Sequence, residues 1–325
     1  MSRLRGVGAL LQLLVGAMLL ASCAAAAPEL ADAEVLKRIA LSFDDIPRHP
    51  GGFMTPDERT AGLIDGLRRA GVEQAAFFVT TGNLEENYGA GGEKRIEAYV
   101  AAGHVIANHS HSHGWLWNGD AAAYIADLDK AEAWLASRPG KRPWYRFPYL
   151  DEGRDPGRRD ALRAALKSRG LMNGYVTVDN FDWALDGLAT QALAEGRKVD
   201  REALGELFVE TIVSTANFND ALARETLGRS PIHVLLLHET DLNALFVGEL
   251  VDGLRADGWQ IVTIDEAYAD PLVQLEPDTL YLGGGRVTAL AAAAGRDPAS
   301  LVHPRTDEAE LARLFEERVI VREDQ

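Results

Sequence analysis

The chain has 325 residues, enough to bury a sizeable core in one large domain or two small ones. Its hydrophobic share of 47% and charged share of 25% are ordinary for a soluble globular protein. The net charge of −16 argues against a nucleic-acid partner, because gripping phosphates needs a basic surface; it also disfavours an anionic substrate unless a local basic pocket overrides the average.

Arg3 and Arg5 precede an almost continuously apolar run over residues 9–20, and Leu20-Ala-Ser-Cys23 follows. A basic start, a short apolar run and small residues read as a secretory signal, and the run is too short for a comfortable membrane span. Leu-Ala-Ser-Cys resembles the bacterial lipobox, in which the cysteine is lipidated and becomes the new N-terminus. The alternative is a plain signal cut at one of the alanines 24–27. Cys23 is the sole cysteine, so the mature body needs no disulfide. Residues 24–35 read as a tether.

Residues 38–43 predict a buried strand that ends in Asp44-Asp45. Pro47, Pro50, Gly51 and Gly52 then break the chain. Thr55-Pro-Asp-Glu58 predicts a helix start: a capping threonine, proline at the first position and glutamate three residues after the cap. Residues 74–80 predict a second strand, 93–102 a helix closed by Gly103, and 104–107 a third strand. Asn108-His-Ser-His-Ser-His113 follows. His109 and His113 are four apart, which on a helical turn sets both imidazoles on one side, able to grip one metal ion. His111 would point away from them.

Residues 121–135 predict a helix, 144–149 an aromatic extended stretch, and 160–168 another helix. Residues 175–178 predict a strand leading into Asp179-Asn-Phe-Asp182-Trp183. Residues 188–227 predict two helices with a break near 196–200. Residues 232–237 predict a strand ending at His238, 243–256 a helix, and 260–264 the last strand. Residues 271–325 read as an extension packed on the domain, with Gly283-Gly-Gly285 a turn, because no Lys-Ser/Thr follows to make a phosphate loop. Strands alternating with helices predict an α/β fold with a mainly parallel sheet, and six to eight such units could close into a barrel.

Ionisable residues gather at predicted strand ends, the edge where parallel α/β folds bind ligands. Two histidines and an aspartate leave a coordination position open, as in a catalytic metal site. A second carboxylate can take a proton from water, and a distant histidine can protonate a leaving group. His104 and His233 stand among apolar neighbours and read as structural. Asp179 reads either as a supporting hydrogen-bond partner or as a substrate contact. Trp115 and Trp117 could stack on sugar rings or simply pack.

Ser42-Phe-Asp-Asp45, His109-Ser-x-x-His113, Arg146-Phe-Pro-Tyr149, Asp179-x-x-Asp182-Trp183 and Leu236-Leu-His238 stand in the order found in the polysaccharide deacetylase family, carbohydrate esterase family four. The resemblance covers residues 36–268. It implies a distorted (β/α) barrel with fewer than eight strands, followed by a C-terminal extension over 269–325. It implies that Asp45, His109 and His113 hold a divalent metal, usually zinc, with cobalt, nickel or manganese as alternatives. Asp44 would be the general base, oriented by Arg146. His238 would be the general acid, tuned by Asp182. The Tyr149 N–H would serve the oxyanion, and Trp183 and Leu236 would wall the acetyl pocket.

The activity so implied is removal of N-acetyl groups from an amino-sugar glycan (chitooligosaccharide, peptidoglycan or another envelope polysaccharide) at the bacterial envelope. Membrane contact would run only through a lipid on Cys23. Two other readings stay open: an amidohydrolase acting on a small non-sugar amide, and a noncatalytic glycan-binding envelope lipoprotein. The chain departs from the family pattern in three places. Ile46-Pro47 stands where Gly-Pro is usual, Glu239 where aspartate commonly follows the last histidine, and the 188–227 insertion could cover the site.

Overall fold

The computed structural model describes residues 36–116, 119–281 and 283–321. The expected signal, Cys23 and the tether, and also Trp117, lie outside the described residues. The strands are β1 (Lys37–Ile46), β2 (Ala76–Val79), β3 (Val105–Asn108), β4 (Lys141–Tyr145), β5 (Met172–Asn173), β6 (Ile232–His238) and β7 (Trp259–Ile261). All pairings are parallel; the sheet runs β5-β4-β3-β2-β1-β6, and β7 pairs with the start of β1. The helices are α1 (Pro56–Arg69), α2 (Gly92–Ala101), α3 (Ala121–Leu135), α4 (Pro156–Ser168), α5 (Asp182–Ala194), α6 (Arg201–Leu227), α7 (Asp241–Ala256), α8 (Ile264–Ala267), α9 (Arg286–Ala293) and α10 (Glu308–Arg318).

Period-two alternation along β1 sorts its side chains between two cores. Ile39, Leu41 and Phe43 join the core shared with Leu63 and Leu67 of α1 and with α6 and α7. Ala40 joins the second core with Phe78, Ala107, Val234 and Leu236. Ser42 and Asp44 continue that second row, and both are buried. The inward face of β1 therefore turns from apolar to polar as it reaches its C-terminal end. α1 begins as its sequence predicts: Thr55 Oγ1 accepts from the Glu58 N–H, and Glu58 Oε2 accepts from the Thr55 N–H. Truncating Leu63 or Leu67 to alanine would cost roughly 2–5 kcal/mol through lost burial and a cavity.

The predicted strand at 175–178 is corrected to a seam. β5, just before it, pairs with β4, while Val178 forms a single bridge to Leu235 of β6. Residues 172–178 thus cross from one edge of the sheet to the other and curl it towards a barrel. The Thr177 and Val178 N–H groups both donate to the Val234 carbonyl, and Thr177 Oγ1 accepts from the Val234 N–H, so the regular ladder is used up within three residues. The last strand is also shorter than predicted, because Thr263 caps α8 and Ile264 is already helical.

Residues 188–227 fall on α5 and α6, with the break where predicted. They do not cover the site: none of them lines the site cavity, and Leu204, Leu207, Phe208, Ile212 and Ala216 are buried in the first core instead. The C-terminal extension adds Val287 and Ala291 to the second core, and Leu311, Phe315 and Val319 to the first.

Candidate active site

Adjacent residues of a strand point to opposite faces, so Asp44 and Asp45 could not both face one cavity from a regular β1. A bulge resolves this. Phe43 pairs with Phe77 and Ile46 with Val79, which gives β1 one extra residue, and Asp45 takes a left-handed φ of 69°. Both carboxylates then line a cavity of about 550 Å³ together with His109, His113, Phe147, Tyr149, Trp183, Leu236 and His238.

The two histidines reach it from a loop. The helical-turn expectation for residues 109–113 is wrong: β3 ends at Asn108, and Ser110 and His113 have φ of 69° and 52°. Asn108 Oδ1 accepts from the Ser110 N–H, Ser110 Oγ accepts from the His113 N–H, and Asp127 of α3 accepts from the His111 and Ser112 N–H groups. These bonds fold the loop back so that His113 meets His109, with ring centroids 5.0 Å apart. His111 is turned elsewhere, with Nδ1 2.9 Å from Thr81 Oγ1.

Asp45, His109 and His113 place one ligand atom each within 4.8 Å of one another. His113 Nε2 is 3.1 Å and His109 Nε2 3.5 Å from Asp45 Oδ1. A tetrahedron with bonds of ~2.0 Å has edges of roughly 3.3 Å, so the set fits a zinc-like ion. Two further observations agree. Asp45 Oδ1 is buried with no hydrogen-bond partner. His109 Nδ1 donates to the Arg146 carbonyl over 2.9 Å, and since a carbonyl only accepts, Nε2 keeps its lone pair. Burial pushes the Asp45 carboxyl up, but His113, His109 and Arg48 outweigh it and hold the group well below the usual carboxylate range.

Asp44 is 2% exposed and accepts from Arg146 Nη1 over 2.6 Å. Arg146 is fully buried. It also donates to the Gly174 carbonyl, to Ser42 Oγ and to the Tyr268 hydroxyl, and lies 3.8 Å above the Phe78 ring centroid. The guanidinium is therefore fixed by the barrel interior, and it fixes Asp44 in turn.

Across the cavity, His238 Nδ1 donates to Asp182 Oδ1 over 2.8 Å. Asp182 Oδ2 accepts from the His238 N–H and from Asn243 Nδ2, and the Asp182 N–H is capped by Asn180 Oδ1. Burial pulls the imidazole pKa down, but Asp182 and then Asp45 outweigh it, so His238 titrates above the ordinary histidine range. Burial pushes Asp179 up to about 6, against the pull of His238 and of a hydrogen bond from the Gly284 N–H.

Tyr149 (φ 57°) and Trp115 form an exposed aromatic pair at the rim, 56% and 45% accessible, with rings 5.3 Å apart. Arg48 pairs with the second oxygen of Asp45. Its N–H donates to buried Glu239, which is itself held by the Tyr99 hydroxyl and lies beside Arg59, so Glu239 anchors the loop that follows Asp45. Arg48, Asn243 and Tyr268 were missed by sequence reasoning. Asn243 and Tyr268 lie in helices or just beyond, where nothing in a one-dimensional pattern marks them. Arg48 had a signal, a lone cation three residues after the aspartate pair.

Residues 33–172 match the family model for polysaccharide deacetylase. That stretch, less than half of the chain, is similar to the polysaccharide deacetylase family. A peptidoglycan-N-acetylglucosamine deacetylase, PgdA of Listeria monocytogenes, is 24% identical over 248 residues, covering 75% of this chain and 42% of the relative. The chain thus aligns with less than half the length of that curated relative. Among solved structures, a mutant of a Bacillus anthracis CE4-family pseudoenzyme is 17% identical, with a TM-score of 0.50 over 71% of this chain and 67% of that one. The chitin deacetylase of Colletotrichum lindemuthianum is 21% identical, with a TM-score of 0.48 over 72% and 88%. The likeness to the first of these speaks to the fold alone. The family match ends at residue 172, so Asp44, Asp45, His109, His113 and Arg146 fall inside it, and Asp182 and His238 fall outside.

Proposed function

We propose that this chain is a metal-dependent hydrolase that removes N-acetyl groups from amino-sugar glycans of the bacterial envelope. The observation that carries the reading is the meeting, in one cavity, of the Asp45–His109–His113 group, the Arg146-held Asp44 and the Asp182-held His238. Asp45, His109 and His113 would hold a divalent ion, zinc above cobalt, nickel or manganese, which would supply Lewis acidity to a bound water and to an acyl carbonyl.

The protein's own groups do the rest. Asp44 takes the proton of the attacking water, and Arg146 holds its carboxylate in one orientation. The Tyr149 N–H is the donor proposed for the developing oxyanion. His238 enters protonated, because Asp182 stabilises the imidazolium, and it gives its Nε2 proton to the departing amine. Trp183, Leu236 and Phe147 present apolar surface suited to the acetyl methyl group. The exposed Trp115–Tyr149 pair offers a face for a sugar ring. Export and lipid attachment at Cys23 would bring this site to an envelope glycan.

The deciding experiment measures acetate released from N-acetylglucosamine oligomers, peptidoglycan fragments and a panel of non-sugar amides, with metal-stripped and metal-loaded protein. Release from a sugar substrate only when metal is present is the expected result. Release from a ureide or imide alone would transfer the site to small-amide chemistry.

A further inference from the structure

The two regions that lie beyond the family's motifs, α6 and the C-terminal extension, meet beside the active site. They enclose a second cavity of about 170 Å³, and Asp179 and Phe181 stand in the walls of both cavities. Thr215, Phe218 and Asn219 come from α6, and His303 from the extension.

Asn219 is 3% exposed. Its Nδ2 donates to the Thr215 carbonyl over 2.9 Å, so turning the amide over would set two oxygens against each other. Oδ1 is thereby committed as an acceptor, and it is buried with no partner. A buried acceptor left unpaired is costly, which sets it apart from ordinary helix surface. His303 Nδ1 accepts from the Arg305 N–H over 3.2 Å, which leaves Nε2 as the protonated, donating nitrogen of a neutral ring. Phe218 lies against that ring at 5.4 Å. One acceptor, one donor and aromatic faces match a ring that bears hydroxyls at its edge and C–H groups on its faces.

We propose that this cavity is a saccharide subsite, holding the pyranose ring that lies next along the glycan from the ring presenting its N-acetyl group at the active site. The inference rests on the glycan reading above. It gives α6 and the extension a binding role that needs no motif of their own.

The test is calorimetric titration of N-acetylglucosamine monomer and pentamer into metal-loaded Asp44→Asn protein, which binds without turnover. Asn219→Leu and His303→Phe are each added to that background, and thermal melting verifies that each variant folds; if one does not, the other carries the test. The subsite predicts that either change weakens pentamer binding about tenfold and monomer binding less than twofold. Equal losses for both lengths, no loss for either, or no oligomer binding at all would overturn it, the second outcome marking a cavity that holds only water. Acetate release by the unmodified protein is read separately. Asn219-dependent oligomer binding with no acetate released keeps the subsite and sinks the deacetylase reading. Acetate release with binding indifferent to Asn219 does the reverse.

Discussion

The two sides of the active-site cavity are built by different means. The side proposed to hold the metal takes Asp44 and Asp45 from a bulged strand end, His109 and His113 from a five-residue loop, and Arg146 from the residue after β4. Left-handed residues at Asp45, Ser110, His113 and Tyr149 make those turns. Such conformations cost of order 1–3 kcal/mol each and persist where the surroundings over-determine them. The side proposed to supply the acid has no left-handed non-glycine residue among its described positions. Asp182 opens α5, His238 ends β6, and the two meet across 56 positions of sequence because α5 packs on β6. The metal side is specified by short stretches whose local folding places the groups. The acid side is specified by the packing of distant elements, and the extension reaches it through the bond from the Gly284 N–H to Asp179.

The largest way to break this comparison is to remove the metal. Stripping divalent ions with a chelator should abolish acetate release, and zinc or cobalt should restore it; full release by stripped protein would leave the metal side without a catalytic part. Next, Asp44→Asn should lower kcat by about 10³-fold while metal content, read by elemental analysis, stays at the unmodified level. A variant that lost its metal as well would show that the two roles on that side are inseparable.

The acid side should be more graded. His238→Asn should lower kcat by about 10²-fold. Asp182→Asn removes the carboxylate that holds His238 above its ordinary range, so the alkaline limb of the kcat–pH profile should move to lower pH. An unmoved limb would assign that limb to another group.

The smallest effect concerns Asp179. Its folded pKa of about 6 lies above the ordinary carboxylate value, so its protonated form favours the folded state at low pH. That contribution is present below about pH 4 and is lost as pH rises through about 6. In metal-free protein, Asp179→Asn should therefore melt like the parent near pH 4 and become the more stable of the two by pH 8, by roughly 1–3 kcal/mol. A stability difference independent of pH would show that Asp179 is compensated by groups other than those that now face it.

Much of this was legible in one dimension. Thr55 and Glu58 marked the start of α1 because capping is a local exchange of hydrogen bonds. The break between α5 and α6 showed as Gly196 and Asp200, the latter capping α6. His109 and His113 were paired by a spacing rule that holds for a helix, and they meet through a loop instead. The seam at 175–178 read as a strand because its residues are strand formers, and only its position between two sheet edges denies it a ladder.

Residue chemistry and local spacing, then, drew attention to the histidine pair and to the ionisable groups at strand ends, and the family resemblance supplied the roles proposed for Asp44, Asp45, Arg146 and His238. The tertiary structure decided what no local pattern could. It showed that Asp44 and Asp45 share one cavity through a bulge and that Arg48 and Glu239 anchor the rim. It also showed that the 188–227 segment walls a second cavity with the C-terminal extension instead of closing the first. These are relations between elements far apart in the chain, and they exist only once burial of the two cores has fixed where each element lies.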